Sequence, residues 1–299
     1  MSSWILRRSD STITKRKQQL ELLQQKTCST PVPCLKFDNP TCLKFDNPIC
    51  LEFDNPICLE FDNPNNTEYI TTDHYATLST AKRNNNEGVS CLEYIDAILY
   101  INLEHRTDRN EHCTNEIKKI DPTLSKTHRI DAVYCKENGA LGCSLSHIKA
   151  LELILKNPSW KTVMILEDDF TFITDHSPFL HSAIIHLLRS MSYYDMLLLA
   201  IGAERCTTLP TQQPTILRLT SAQTTSGYII SRHYVYTLLA NYTQSSYNMI
   251  QFGWKSEWCL DQHWKQIMPI SNWYTLHKKI AYQYDNYSDI EGKFMSYKC

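Results

Sequence analysis

Only 7 glycines occur in the 299 residues. None sits in a Gly-rich phosphate loop of the Walker or dinucleotide type, so a nucleotide must be held in another way. No run of about eighteen apolar residues is present, which leaves no candidate membrane span. The first residues, MSSWILRRSDSTITKRKQQ, lack the apolar core of a signal peptide. These absences predict a cytoplasmic protein with no membrane span. Charge of one sign is also missing: a formal net charge of -2 and a pI near 6.6 give no overall field for nucleic acid, and argue against that partner.

Cysteine, by contrast, is plentiful. Twelve occur, but four belong to one repeated octapeptide and a chain of this size needs no stapling, so reduced thiols are the favoured state. Asn65, Asn241 and Asn286 stand in Asn-x-Ser/Thr sequons, a pattern short enough to arise by chance.

Four regions follow from changes in texture. Residues 1–33 are polar and basic, with Lys15-Arg16-Lys17 ahead of the helix-prone stretch Gln18 to Lys26. Residues 34–65 repeat four times with period eight: CLKFDNPT, CLKFDNPI, CLEFDNPI, CLEFDNPN. An even period keeps Leu35 and Phe37 on one side of an extended chain, and each unit breaks at Asp-Asn-Pro. Such units are a binding stalk, a metal ladder of Cys34, Cys42, Cys50 and Cys58, or a duplicated low-complexity linker. The last is favoured, because the units bury little and the cysteines lack the close pairing of zinc sites. Residues 66–90 continue as linker, and a domain boundary near Cys91 opens a domain over 91–299.

Within that domain strand and helix signals alternate. Strands are expected over 95–103, 127–134, 161–166, 196–201, 227–230 and 279–283, and helices over 109–120, from Ser144 to before Pro158, and over 184–191, 233–241 and 257–267. The order is mostly β-α-β, which predicts an α/β fold with a mostly parallel sheet and helices on both faces. Glu167-Asp168-Asp169 directly follows the apolar run Val163 to Leu166, so carboxylates are delivered to the carboxyl edge of a strand, where open α/β sheets place ligands. Either a divalent cation sits among them or they are simply hydrated. Continued strand alternation would put Glu167 and Asp169 on one side and Asp168 on the other.

The triplet is not alone. Tyr100-Ile101-Asn102-Leu103 with Arg106-Thr107-Asp108-Arg109, then Gly139-Ala140-Leu141-Gly142-Cys143-Ser144-Leu145-Ser146-His147, then Ile165 to Asp169, in this order and spacing, resemble glycosyltransferase family 25. Gly227 to Ser231, Asp261, Gln283 and Ser288-Asp289-Ile290 continue the likeness, which covers about Asp96 to Gly292 and leaves the N-terminal third without a counterpart. The resemblance implies a GT-A-like fold and inverting transfer of a hexose, galactose or glucose. The donor would be a UDP-sugar, the acceptor a hydroxyl on a glycan or protein, and Mn²⁺ or Mg²⁺ the cation. Glu167, Asp168 and Asp169 stand where that family's metal and donor motif stands, although its first acid varies.

Each remaining residue has two readings. Asn102, Arg106 and Arg109 hold the base, ribose or diphosphate of the donor, or Arg109 pairs with Asp108 or Glu111 on a helix surface. Gly139 and Gly142 let the backbone approach the donor, with Ser144 near a helix N-terminus, or Ser144 is only an N-cap. His147, three residues into that helix, touches donor or acceptor, or makes a structural hydrogen bond. Cys143 reads as a small buried residue. Asp261 is the general base, with Asp289 as its rival, an additional metal-side carboxylate, or an exposed helical aspartate. Trp254, Trp258, Trp264 and Trp273 offer stacking faces for an acceptor, or core. Two other functions stay open: a catalytically inactive transferase-like protein that binds or builds through its repeats, and a metal-dependent hydrolase, which fits the triplet alone.

Overall fold

The computed structural model describes residues 89–202, 206–288 and 293–295. The basic segment, the octapeptide repeats with their cysteines, Asn65 and Asp289 lie outside the described residues. Among the described residues no helix is long and apolar enough to cross a membrane.

Eight strands build the main sheet: β1 (Ala97–Asn102), β2 (Thr127–Asp131), β3 (Thr162–Glu167), β5 (Met196–Leu198), β6 (Thr207–Pro210), β7 (Ile216–Ser221), β8 (Gly227–Ser231) and β9 (Trp273–Leu276). Their spatial order is β2-β1-β3-β8-β5-β9-β7-β6. Six of the eight point the same way; β7 and β8 are reversed. The α/β class with a mostly one-way sheet is therefore realised, with β8 inserted antiparallel at its centre.

Every residue of β1 is buried, as are the four central residues of β3, because helices cover both faces of the sheet. On one face Leu99, Ile101, Val163, Ile165, Tyr228 and Ile230 pack under α2 (Gly139–Lys156) and α4 (Val235–Phe252). On the other, Ile98, Tyr100, Met164, Leu166 and Ile229 pack under α1 (Thr107–Lys118) and α3 (Ser177–Ser190). This alternation is the period-two pattern of a strand buried on both sides. Trp264 and Trp273 belong to the first core, meeting edge to face at 5.0 Å, whereas Trp254 is exposed.

Several expectations are corrected. The helix expected to begin at Ser144 begins at Gly139, because the Asn138 side chain accepts the Leu141 N–H and caps it. Ser144 lies in the second turn, wholly buried, its hydroxyl donating to the Ala140 carbonyl. The helix expected over 233–241 runs on to Phe252, where Gly253 at φ 79 stops it. The helix expected over 257–267 is broken into short 3₁₀ turns around the four-residue α5 (Leu260–His263). Three segments not expected at all, β9, β7 and β6, complete the far edge. A ribbon of β4 (Phe170–Phe172) and β10 (Ala281–Gln283) stands outside the sheet, as does the pair β11 (Asn286–Ser288) and β12 (Lys293–Met295). The sequon at Asn241 is buried in α4.

Two glycines are required by close approach. A Cβ on Gly142 would stand 2.5 Å from the Val133 carbonyl oxygen, so this glycine seats α2 against the loop after β2. A Cβ on Gly227 would stand 2.4 Å from the Phe170 ring, which packs over the start of β8. Gly227→Ala is expected to cost about 1–3 kcal/mol in urea unfolding by overpacking. Combining it with Phe170→Leu should recover part of that loss; strictly additive losses would show that the two sites are not coupled.

Candidate active site

The register of the sheet brings the acidic segment to one point. Ile101 pairs with Glu167 and Asn102 with Asp131, and Leu166 pairs with Gly227 at the start of the reversed β8. The carboxyl edges of β1, β2 and β3 and the amino edge of β8 thus converge. A cavity of about 110 Å³ opens there, lined among others by Asn102, Arg109, Tyr134, Cys143, His147, Glu167, Asp168, Asp169 and Gln283.

The strand ends at Glu167, and Asp168 and Asp169 form a turn before β4. Alternation stops with the strand, so the expected two-and-one division fails and a different one holds. Asp168 and Asp169 converge on a single guanidinium nitrogen: Arg109 Nη1 donates to Asp168 Oδ1 at 2.8 Å and to Asp169 Oδ2 at 3.2 Å. Asp168 Oδ2 accepts from Asn102 Nδ2 at 2.8 Å, and Asp169 Oδ2 also accepts from Gln283 Nε2 at 3.2 Å. Gln283 is delivered by its pairing with Phe170 in the β4–β10 ribbon. Arg129 in turn fixes Asn102, donating through Nε to its Oδ1 at 3.2 Å.

Glu167 turns toward α2 instead. Its Oε1 lies 3.0 Å from His147 Nε2 and 3.9 Å from Cys143 Sγ, and it accepts the Thr225 hydroxyl. His147 sits well inside the helix, deeper than its expected place three residues in; its Nδ1 lies 2.9 Å from Tyr228 Oη.

These partners set the charge states. Burial raises Asp169 to about 7, reinforced by the charge of Glu167 and opposed by Arg109. Burial raises Asp168 too, against the pull of Arg109 and Asn102. For Glu167 burial works the same way, but the hydrogen bond and charge of His147, then Thr225, outweigh it and the carboxyl lies below its ordinary value. Asp169 Oδ1 is buried and has no hydrogen-bond partner among the described residues. Ionising a buried carboxyl whose oxygen has no donor is costly, and a hard cation is the group that would relieve it.

Other expected residues are placed as follows. Asn102, Arg109, His147, Glu167, Asp168 and Asp169 are brought together, while the largely buried Arg106 forks on Asp108, at 3.0 and 2.9 Å, and does not line the cavity. Arg109 pairs with neither Asp108 nor Glu111 but with the aspartates. Gly142 and Ser144 serve the packing of α2 and do not line the cavity. Asp261 is not an exposed helical aspartate: its Oδ2 accepts the Thr224 N–H at 3.2 Å, its Oδ1 the Gln262 amide at 3.3 Å, and burial raises it, with the Glu167 charge adding.

Sequence reasoning missed the loop 222–226. Thr224 is held at φ 86, a backbone conformation rare for a β-branched residue. That strained loop links Asp261, through the Thr224 N–H, to Glu167, through the Thr225 hydroxyl and the Ser226 carbonyl that accepts the Glu167 N–H at 2.8 Å. Arg129 and Tyr134 were missed as well, and no local motif marks either.

No family model matches the chain, and no curated protein matches it. Solved structures do. A glycosyltransferase involved in the glycosylation of the major capsid of PBCV-1 shares 9% identity, covering 66% of this chain and 95% of that chain at a TM-score of 0.45. A mannose-1-phosphate geranyltransferase from Thermus thermophilus shares 8%, covering 61% and 59% at 0.34. A Drosophila β-1,4-galactosyltransferase 7 mutant in complex with manganese, UDP-Gal and xylobiose shares 10%, covering 48% and 51% at 0.29. The sheet with its two helical layers is a mostly one-way α/β fold.

Because Asp169 is raised on folding, the folded state holds its proton to higher pH than the unfolded chain. Stability in the absence of metal is therefore given up as pH rises from about 4 to about 7. In the presence of a chelator, Asp169→Asn is expected to raise Tm at pH 8 by roughly 2–4 °C or more, the gain shrinking as pH approaches 4. A gain independent of pH would contradict the charge argument.

Proposed function

We propose that this domain transfers a hexose, galactose or glucose, from a UDP-sugar to a hydroxyl on a glycan or protein. The transfer is inverting, depends on a divalent cation, and proceeds in the manner of glycosyltransferase family 25. The supporting observation is Asp169 Oδ1: a carboxyl oxygen, buried and without a partner among the described residues, in a cavity at the strand edge. The sugar, the nucleotide and the stereochemistry follow from the sequence resemblance.

Asp169, with Asp168 beside it, would hold Mn²⁺ or Mg²⁺, and such a cation offsets charge growing on a leaving diphosphate. Arg109 and Asn102 keep the two aspartates in place and make up part of the charge balance. Glu167, already engaged by His147 and Thr225, is given no share in that cation. Asp261 acts as general base; its raised carboxyl binds a proton more firmly than an ordinary carboxylate, and Thr224 and Gln262 fix its orientation. In the transfer the acceptor oxygen bonds to the anomeric carbon from the face opposite the donor. The bond from that carbon to the diphosphate oxygen breaks, its electron pair leaves with the nucleoside diphosphate, and the hydroxyl proton passes to Asp261.

Purified full-length protein with Mn²⁺ is expected to release UDP from at least one member of a UDP-sugar panel. Asp169→Asn should lower that rate by about a hundredfold or more, as loss of a charge-stabilising group in a transition state does. Equal turnover by the variant would remove the metal assignment. Donor binding without turnover in the unaltered protein would favour an inactive transferase-like protein.

A further inference from the structure

We infer that Cys143, His147 and Glu167 form a second cation site, selective for a borderline-soft ion such as Zn²⁺ and distinct from the oxygen site of Asp168 and Asp169. Their ligand atoms, Sγ, Nε2 and a carboxylate oxygen, all lie within 4.8 Å of one another. Ligands of a tetrahedral zinc at ~2.0–2.3 Å stand roughly 3.3–3.8 Å apart. The observed separations from Glu167 Oε1, 3.0 Å to His147 Nε2 and 3.9 Å to Cys143 Sγ, bracket that spacing. Small shifts of two side chains would therefore complete the set.

The scaffold is built for it. Cys143 and His147 stand one turn apart on α2, so both project from the same face of one rigid helix, and Glu167 comes from the end of a buried strand. Tyr228 Oη faces Nδ1 of His147, the outer partner that ligating histidines ordinarily have; its ring stacks on the imidazole with centroids 5.7 Å apart. All three ligands line the cavity, which supplies an entry path and room for a fourth, non-protein ligand. Thiolate, neutral imidazole and carboxylate together carry two negative charges, matching one divalent ion, and the sulfur disfavours Mg²⁺. On binding, the Cys143 thiol gives its proton to solvent, and His147 takes the tautomer with Nε2 toward the ion and Nδ1–H toward Tyr228 Oη.

The test reads binding, so its outcome is separate from that of the transfer assay. Co²⁺ is titrated into chelator-treated, full-length protein while thiolate-to-cobalt absorption is followed, wild type against Cys143→Ser, so that every other thiol in the chain contributes to both curves. The wild type should show one additional equivalent of thiolate-bound Co²⁺, displaced by one equivalent of Zn²⁺. His147→Gln should lose it, and Tyr228→Phe should weaken it by about tenfold or more. Superimposable titrations of wild type and Cys143→Ser would overturn the inference. If Cys143→Ser does not fold, His147→Gln decides in its place, and undiminished binding by that variant would overturn it equally.

Discussion

Three consecutive carboxylates cannot leave water without donors or positive charge to face, and the edge of this sheet is arranged around that requirement. Desolvating an ionised carboxylate costs several kcal/mol even after relaxation, so each buried oxygen must be matched one by one. Arg109 meets two of the acids with one nitrogen, while Asn102 and Gln283 each donate to one of them from another side. His147 and Thr225 take the third acid. Five segments are thereby tied to a single turn, and the one buried carboxylate oxygen left without a partner among the described residues is the feature that gives the site its chemical character.

The topology is what allows those partners to arrive. A purely parallel sheet would present only strand ends and helix starts at this edge. Reversing β8 places its beginning here instead, so the loop before it, with Thr225 and Ser226, reaches Glu167 directly. The same loop carries the strained Thr224 and holds Asp261, which couples the candidate base to the acidic turn through two adjacent residues. Strain at Thr224 and the unpartnered oxygen of Asp169 both reduce stability, and the two stand side by side in this site, as is usual where function competes with stability.

Much of this was legible in the sequence, for identifiable reasons. β1 and β3 are continuous apolar runs, and runs buried on both faces announce themselves without periodicity. The acidic triplet at the end of β3 follows from the same pattern. The start of α2 was misplaced because two competing caps, Asn138 and Ser144, both fit local chemistry; only the tight seat of Gly142 against Val133 shows that the helix must already be formed there. The short strands β4, β6 and β9 escaped because three- or four-residue elements are stabilised by partners distant in sequence, whereas β10 falls within the expected strand 279–283. Thr224 was illegible in principle: nothing in its residue type favours positive φ, and only its surroundings impose it.

The acids of the triplet are chemically alike in the chain and unlike in the fold. Glu167 is held below its ordinary pKa while its two neighbours are raised, and the difference comes from one change of direction at the end of β3. As long as the strand continued, alternation would have paired Glu167 with Asp169. Because it turns, Asp168 and Asp169 share a guanidinium and offer only oxygen atoms as ligands, and Glu167 joins a thiol and an imidazole across the cavity wall. Hard and soft donor sets are thus separated by a single peptide unit. Neighbouring groups driven apart in proton affinity by their surroundings are the usual means by which one site assigns different tasks to identical side chains. Here the assignment runs further, to the kind of cation each acid is equipped to meet.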